Sequence, residues 1–352
     1  MEVFFSRDQL RHRPEQFLVA GRLVAPFEVP ERAERLAQTL TDGGLAVISP
    51  PDHGAGPIHA VHPEHYTRFL AGAYERFQEL PNAGPEAFPN VHPHISATPG
   101  YGPRERARPT GIVGELGWYV GDMACAIGPE TYAAAYASAQ SAIGAATAVN
   151  DGSYHAYALC RPPGHHAYAD RSSGFCFLNN AAIAAEILRK RFAKVAILDF
   201  DTHHGDGTQA IFYQRSDVFV GSHHTDPRAY YPFYVGYADE TGYGEGDKAN
   251  LNIPLPEGAD DEAFLEASQK LIVSALAFGA EALVVSAGWD AHRDDPLSKL
   301  KITDQGFARL GRLYGEIPLP TVLIQEGGYA IGAVETVAPL FIREFLDERR
   351  IV

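Results

Sequence analysis

The run Asp199-Phe200-Asp201-Thr202-His203-His204-Gly205-Asp206-Gly207 follows the apolar segment Val195-Ala196-Ile197-Leu198 and carries residue types that bind metal ions. Strand side chains alternate between faces, so Asp199, Asp201 and His203 are expected on one side and Phe200 and Thr202 on the other. Two carboxylates and an imidazole then converge beyond the carboxyl end of a buried strand, where open α/β sheets bind their ligands. A polar loop whose carboxylates cap the next helix is the plainer alternative, and this run alone does not decide between them.

Three further segments bear on the choice. In Arg161-Pro162-Pro163-Gly164-His165-His166-Ala167, prolines and a glycine fix a turn that delivers adjacent histidines. Each neutral imidazole needs a donor and an acceptor partner, so two side by side make poor core filler unless carboxylates answer them. Asp199 and Asp206 are available for that. The segment Ala282 to His292 is another apolar strand, ending in Asp290. The segment Thr321 to Tyr329 is a strand followed by Gly327-Gly328, which can bring the Tyr329 hydroxyl close to a ligand.

In order, spacing and residue type these four segments resemble the histone deacetylase and acetylpolyamine amidohydrolase family, most closely its bacterial acetylpolyamine amidohydrolases. The similarity runs from about Phe4 to about Ala333 and takes in Pro30-Glu31-Arg32 and Val61-His62-Pro63. The resemblance implies one zinc ion per chain, held by Asp201, His203 and Asp290, with Fe(II) or Co(II) also compatible with an oxygen-rich set. It implies His165 and His166 as the proton-transfer pair, with Asp199 and Asp206 behind them and His166 as the general base and acid. It makes Tyr329 the hydrogen-bond donor to the developing oxyanion, and places Phe175, within Gly174-Phe175-Cys176-Phe177, on the wall of a substrate channel. Arg32 is implied at an interior channel through which acetate departs. A structural potassium ion is implied near Asp199, Asp201, His203, Ser222 and His223.

Those residues suit amide hydrolysis, because an amide is a poor electrophile and water a poor nucleophile. A divalent ion with an open position polarises the carbonyl and acidifies bound water. A histidine moves protons and a tyrosine stabilises the oxyanion. The expected reaction removes acetyl groups from N-acetylated polyamines or diamines, releasing acetate and free amine; protein-lysine deacetylation is the alternative. A non-catalytic acyl-lysine binder is disfavoured by the intact His165, His166 and Tyr329. A binuclear manganese ureohydrolase would need an acid at Gly205, and another at Gly288 or His292.

The elements that must position these residues are apolar runs near Leu45–Ser49, Ala156–Cys160, Val195–Asp199, Val218–Ser222, Leu283–Ala287 and Thr321–Gln325, expected as strands. Helix-like stretches lie between them at Tyr132–Val149, Ala181–Arg191, Asp261–Phe278 and Asp304–Tyr314, with Thr303 as an N-cap. The alternation predicts an α/β fold: a mostly parallel sheet flanked by helices on both faces, in a single domain over 1–352. Pro81 to Gly117, rich in Pro, Gly, His and Arg, reads as a long irregular insertion, and excursions of that length are usually functional. The resemblance implies that it forms a homodimer that narrows the site entrance. Acids that line this entrance in family members fall at Val113 and Ala124 here, with Asp122 and Glu115 nearby as substitutes.

A formal charge of −15, from 29 basic and 44 acidic residues, disfavours nucleic acid and favours a cationic small-molecule substrate. Cys125, Cys160 and Cys176 are too few for a disulfide framework, which predicts a reducing compartment. With no leader-like start and no apolar stretch long enough to span a bilayer, the expectation is a cytoplasmic protein without membrane association.

Overall fold

The computed structural model describes residues 1–93 and 108–349. Along the chain run β1 (Glu2–Phe4), β2 (Phe17–Val19), β3 (Arg22–Val24), α1 (Glu31–Asp42), β4 (Ala46–Ile48), α2 (Gly56–His59), α3 (Glu64–Gln78), α4 (Ile112–Tyr119), α5 (Thr131–Asn150) and β5 (His155–Ala158). They are followed by α6 (Asn180–Leu188), β6 (Val195–Asp199), α7 (Asp206–Phe212), β7 (Val218–Thr225), β8 (Asn250–Leu255), α8 (Asp261–Phe278), β9 (Ala282–Ala287), α9 (Asp304–Gly315), β10 (Thr321–Gln325) and α10 (Ile331–Arg349).

Eight strands form one sheet in the order β4-β1-β5-β10-β9-β6-β7-β8. Every pairing within it is parallel. A parallel sheet needs cover on both faces, and the strand sequences supply two apolar faces by simple alternation. Ala156, Ala158, Val195, Ile197, Val284, Val322 and Ile324 point to one core, where α5 and α6 contribute Ala142, Ile143, Ala181 and Ile183. Tyr157, Leu159, Ala196, Leu198, Val285 and Leu323 point to the other, closed by α1, α8, α9 and α10 through Leu36, Phe264, Phe307 and Phe341. The Thr303 hydroxyl caps α9 by accepting from the Gly306 amide at 3.2 Å. Asp260 caps α8 in the same way, accepting from the Ala263 amide.

Two strands of this eight-stranded sheet have no counterpart among the expected runs, and neither does the separate antiparallel pair β2-β3. β1 is three residues long, and β8 contains Pro254, which is tolerated because β8 is an edge strand. The 81–117 stretch is not irregular throughout. Its end, Ile112–Tyr119, forms α4, which buries Ile112 and Leu116, and Ala87 bridges to Ile127. The centre of this expected insertion, 94–107, lies outside the described residues. Among the described residues no helix is long and apolar enough to cross a membrane. The three cysteines are free and buried.

Candidate metal centre and active site

Four neighbouring strands, β5, β10, β9 and β6, end side by side, with Asp199 in register with Ser286 and Gln325 with Ala287. The loops after these carboxyl ends carry His165 and His166, Tyr329, Asp290, and Asp201 with His203. Sheet order therefore gathers residues that lie far apart in sequence.

β6 stops at Asp199, so the following residues converge by a chain of turns rather than by continued pleat alternation. Asp199 Oδ1 accepts from the Asp201 amide at 3.0 Å, and Asp201 Oδ1 accepts from the His203 amide at 2.9 Å. Each carboxylate thus fixes the backbone two residues on. Asp199 consequently turns toward His165 instead of joining Asp201 and His203. Phe200 points into the core closed by α1, α8, α9 and α10, against Trp289 and Phe341, and Thr202 bonds Thr225 at 3.0 Å.

Asp201, His203 and Asp290 are buried, and one potential ligand atom from each lies within 4.8 Å of the others. His203 Nδ1 faces Asp201 Oδ1 at 3.0 Å and Asp290 Oδ2 at 3.2 Å. On the other side of the ring, Nε2 lies 3.1 Å from the Tyr230 hydroxyl, which donates to the Leu297 carbonyl. That hydroxyl accepts from Nε2–H, and Nδ1 points at two carboxylate oxygens; burial disfavours charge on the ring, but Tyr230, Asp201 and Asp290 outweigh it and hold the imidazole well above its usual value. Asp290 Oδ2 has no hydrogen-bond partner among the described residues. Burial, reinforced by the Asp201 carboxylate, pushes the Asp290 carboxyl up to about 7. Burial also raises Asp201, but His165 and His203 outweigh it and hold that carboxylate below its usual range. Two carboxylates and an imidazole that converge on one buried point form a donor set in which a cation takes the place of the protons they otherwise hold, so the residues fit a divalent metal ion.

The cradle is tight. A Cβ on Gly327 would lie 2.1 Å from Asp290 Oδ2, and one on Gly288 2.2 Å from Asp201 Oδ2. The Gly327 amide also donates to Asp201 Oδ2 at 2.9 Å. An acid at position 288, which a second metal of the ureohydrolase type would need, has no room. A second trio, His165, Cys176 and Glu326, also lies within ligand range of one another. Its Glu326 oxygens are already committed: Oε2 accepts from the Gly164 and His165 amides at 2.7 and 3.1 Å, and Oε1 from Ser286 at 3.2 Å.

The paired histidines sit beside the trio with ring centroids 4.0 Å apart. His165 Nδ1 donates to Asp199 Oδ2 at 2.9 Å, and His166 Nδ1 to Asp206 Oδ1 at 2.6 Å. Both rings thus turn Nε2 away from their carboxylates. Burial disfavours charge on His165, but Asp201 and Asp199 outweigh it and bring the imidazole up to about 10. Burial and the neighbouring His165 and His203 instead hold His166 well below its usual value. Two like residues therefore receive opposite protonation tendencies, the arrangement a site needs if one is to accept a proton while the other stays charged. Asp206, raised to about 6 by burial, also accepts from the Tyr168 hydroxyl at 2.9 Å.

A cavity of about 630 Å³ opens onto these groups, bordered by His166, His203, Gly174, Phe175, Tyr231 and Tyr329. Tyr329 is held from behind, its amide donating to Asp295 Oδ2 at 2.6 Å, and desolvation keeps its phenol well above the usual value and protonated. Phe175 packs against Tyr329 at 5.7 Å and has a left-handed φ of 69°. Asp122 ties this wall to the opposite one. Its Oδ2 accepts from the Tyr231 hydroxyl at 2.6 Å, the Ser173 hydroxyl at 2.9 Å and the Gly174 amide at 3.0 Å.

Arg32 does not border the main cavity. It is buried behind Tyr329, its guanidinium 4.5 Å from the ring, beside a small cavity of about 10 Å³ shared with Cys160 and Arg161. Near the implied potassium position, Ser222 Oγ bonds His224 Nδ1 at 2.8 Å and the His223 ring turns to Ser268. Ala124 borders the cavity while Val113 packs against the core, and Glu115 pairs with Arg76 at 2.5 Å. Sequence reasoning missed Glu326, Asp295, Tyr230 and Tyr231. Only Glu326 carried a signal, as an acid at the end of a buried strand.

Residues 26–345 match the histone deacetylase domain family. The chain is 45% identical to an acetylpolyamine amidohydrolase from Burkholderia pseudomallei, with 98% of each chain covered. It is 40% identical to one from Mycoplana ramosa over 94% of this chain and 95% of the relative. The crystal structure of acetylpolyamine aminohydrolase from Burkholderia pseudomallei superimposes with a TM-score of 0.93 over 98% of both chains, at 45% identity. By profile, by sequence and by fold, this chain belongs to the histone deacetylase family.

Proposed function

We propose that this chain is a metal-dependent amidohydrolase that removes acetyl groups from N-acetylated polyamines or diamines, releasing acetate and the free amine. One observation carries the reading: Asp201, His203 and Asp290 offer a convergent, buried ligand set, and His203 borders the same cavity as His166 and Tyr329. A divalent ion bound there, one zinc per chain in this reading, would polarise the acetyl carbonyl and acidify a water. His166, neutral and backed by Asp206, takes the proton from the attacking water at Nε2 and returns one to the departing amine. Tyr329 donates its hydroxyl proton to the developing oxyanion. Asp199 holds His165 by Nδ1, and the positive charge on that imidazole favours the same anionic transition state. The pairing of Asp199 with Ser222 across β6 and β7 supports the potassium assignment.

The names of the similar proteins support an acetylated amine as substrate, and the cavity walls refine it. Phe175 and Tyr231 both line the cavity and offer aromatic surface to a methylene chain and its terminal ammonium. Asp122 does not serve as a free ammonium acceptor, since three donors occupy its Oδ2 and the Ala124 amide donates to its Oδ1. With no acid at Val113 or Ala124, short monoacetylated diamines are favoured over long polyamines. The segment 81–117 is assigned to a homodimer contact and the whole chain to one domain. Buried free cysteines accord with a cytoplasmic location.

The test is a competition assay with acetylputrescine, acetylcadaverine, acetylspermidine and an acetyl-lysine protein, with and without chelation. Acetylated diamines should show the highest kcat/KM, and chelated enzyme should regain activity with zinc or cobalt. Faster turnover of the intact protein overturns the amine assignment. Full activity in metal-free enzyme overturns the mechanism.

A further inference from the structure

Glu28 is fully buried, yet it belongs to no secondary-structure element and touches neither the cavity nor the metal trio. Its carboxylate lies between two buried guanidiniums. Oε1 is 2.9 Å from Arg32 Nη1 and 2.8 Å from Arg161 Nε, and Oε2 is 3.0 Å from Arg161 Nη2. Burying two adjacent cations is prohibitive unless an anion is shared between them, and Glu28 is that anion.

Each arginine spends its remaining donors on backbone. Arg32 donates from Nη2 to the Glu326 carbonyl at 2.8 Å and from Nε to the Gly328 carbonyl at 2.5 Å, the peptide unit that leads into Tyr329. Its guanidinium also lies against the Tyr329 ring. Arg161 donates to the Gln9 and His12 carbonyls at 2.8 and 2.7 Å, and opens the Arg161-Pro162-Pro163-Gly164 turn that delivers His165 and His166. The turn's stiffness means that where Arg161 is fixed, the histidines are fixed.

We propose that Glu28 is a positioning residue for deacetylation. Through Arg32 and Arg161 it sets the placement of the Tyr329 loop relative to the paired histidines, and so the alignment of the oxyanion donor with the proton-transfer groups. This inference rests on the reading of Tyr329 as that donor. Removing the charge while keeping the shape, as in Glu28→Gln, leaves two guanidiniums to repel. The arginine that holds the Gly328 carbonyl is then freed to shift. Substrate binding in the cavity is untouched, so the loss should appear in kcat and not in KM.

The experiment is a double-mutant cycle on the metal-loaded enzyme, with Glu28→Gln, Tyr329→Phe and the pair, assayed with acetylputrescine and with a small acetyl-lysine amide. Metal content and thermal midpoint are measured on the same samples. Glu28→Gln is expected to lower kcat at least tenfold with KM and metal content near parental values. In the Tyr329→Phe background the same change should cost less than threefold, because its target is already gone. Glu28→Asp, which keeps the charge, should recover part of the lost kcat. A parental kcat in Glu28→Gln overturns the inference, as does an equal loss in both backgrounds. If Glu28→Gln fails to fold, Glu28→Asp takes its place in the cycle. It is then expected to lose at least threefold in kcat in the parent and nothing further with Tyr329→Phe, and a parental kcat or equal losses overturn the proposal. Tyr329→Phe at the parental rate instead overturns the reading of the tyrosine, and this inference with it.

Discussion

Tyr329 is held through its backbone and its ring, while its hydroxyl makes no hydrogen bond to a described residue. A donor kept free in this way is available for a charge that appears only during reaction. Tyr329→Phe should therefore lower kcat about a hundredfold or more, with metal content and folding preserved. Steady-state kinetics beside elemental analysis checks this, and a rate within about twofold of the parent rules the role out. His166 gives a second outcome at the same scale. Its value is lowered in the folded chain, first by burial, so the neutral base persists to lower pH than a free imidazole would. The acid limb of kcat should fall below 6.5, the ordinary imidazole value. A pH-rate profile with its acid midpoint at or above that value contradicts His166 as the neutral base. These residues were legible because their types are chemically unusual where they stand, with adjacent histidines and acids after apolar strands. Glu28, Asp295 and Tyr230 were not legible, because their partners Arg161, Tyr329 and His203 lie far off in sequence and only the folded chain creates the contact.

The loops after β9 and β10 cross so closely that glycine is required for space rather than for backbone angle. Gly327 is the sharper case: an added methyl would meet Asp290 Oδ2 at 2.1 Å and Asp201 Oδ2 at 2.6 Å. Gly327→Ala should displace both carboxylates and empty the metal site while the sheet stays intact. Metal content measured by elemental analysis should fall below half of the parental stoichiometry, with the far-ultraviolet dichroism unchanged. Full metal occupancy in that variant means that the loops yield and the cradle is softer than its distances imply. At this scale the sequence reading located long buried elements well, β6, β10 and α8 among them, because continuous apolar runs and capping residues mark them. It failed where an element is short or interrupted. β1 has three residues, α10 carries Pro339 inside, and α4 lies in a stretch whose glycines and prolines read as loop. It also extended pleat alternation past Asp199, where the carboxylates bond to backbone two residues on and redirect the chain.

The whole molecule carries a formal charge of −15, and the residues that line its cavity include Asp122, Asp206 and Arg171. A negative field of this size attracts an ammonium from beyond contact distance and has no effect on a neutral molecule. Its reach is set by salt, since the screening length shrinks from about 30 Å at about 0.01 M to about 10 Å at about 0.1 M. Acetylputrescine, with one ammonium, should lose kcat/KM severalfold across that range. N-butylacetamide has the same acetyl group and a similar chain without the charge, and it should change by less than about twofold. The comparison separates the field from the pocket, because both molecules present the same scissile bond to His166 and Tyr329. If the two substrates respond alike to salt, the acidity of the chain plays no part in capturing its substrate. Preference for a cationic amine would then rest on the aromatic walls of Phe175 and Tyr231 alone.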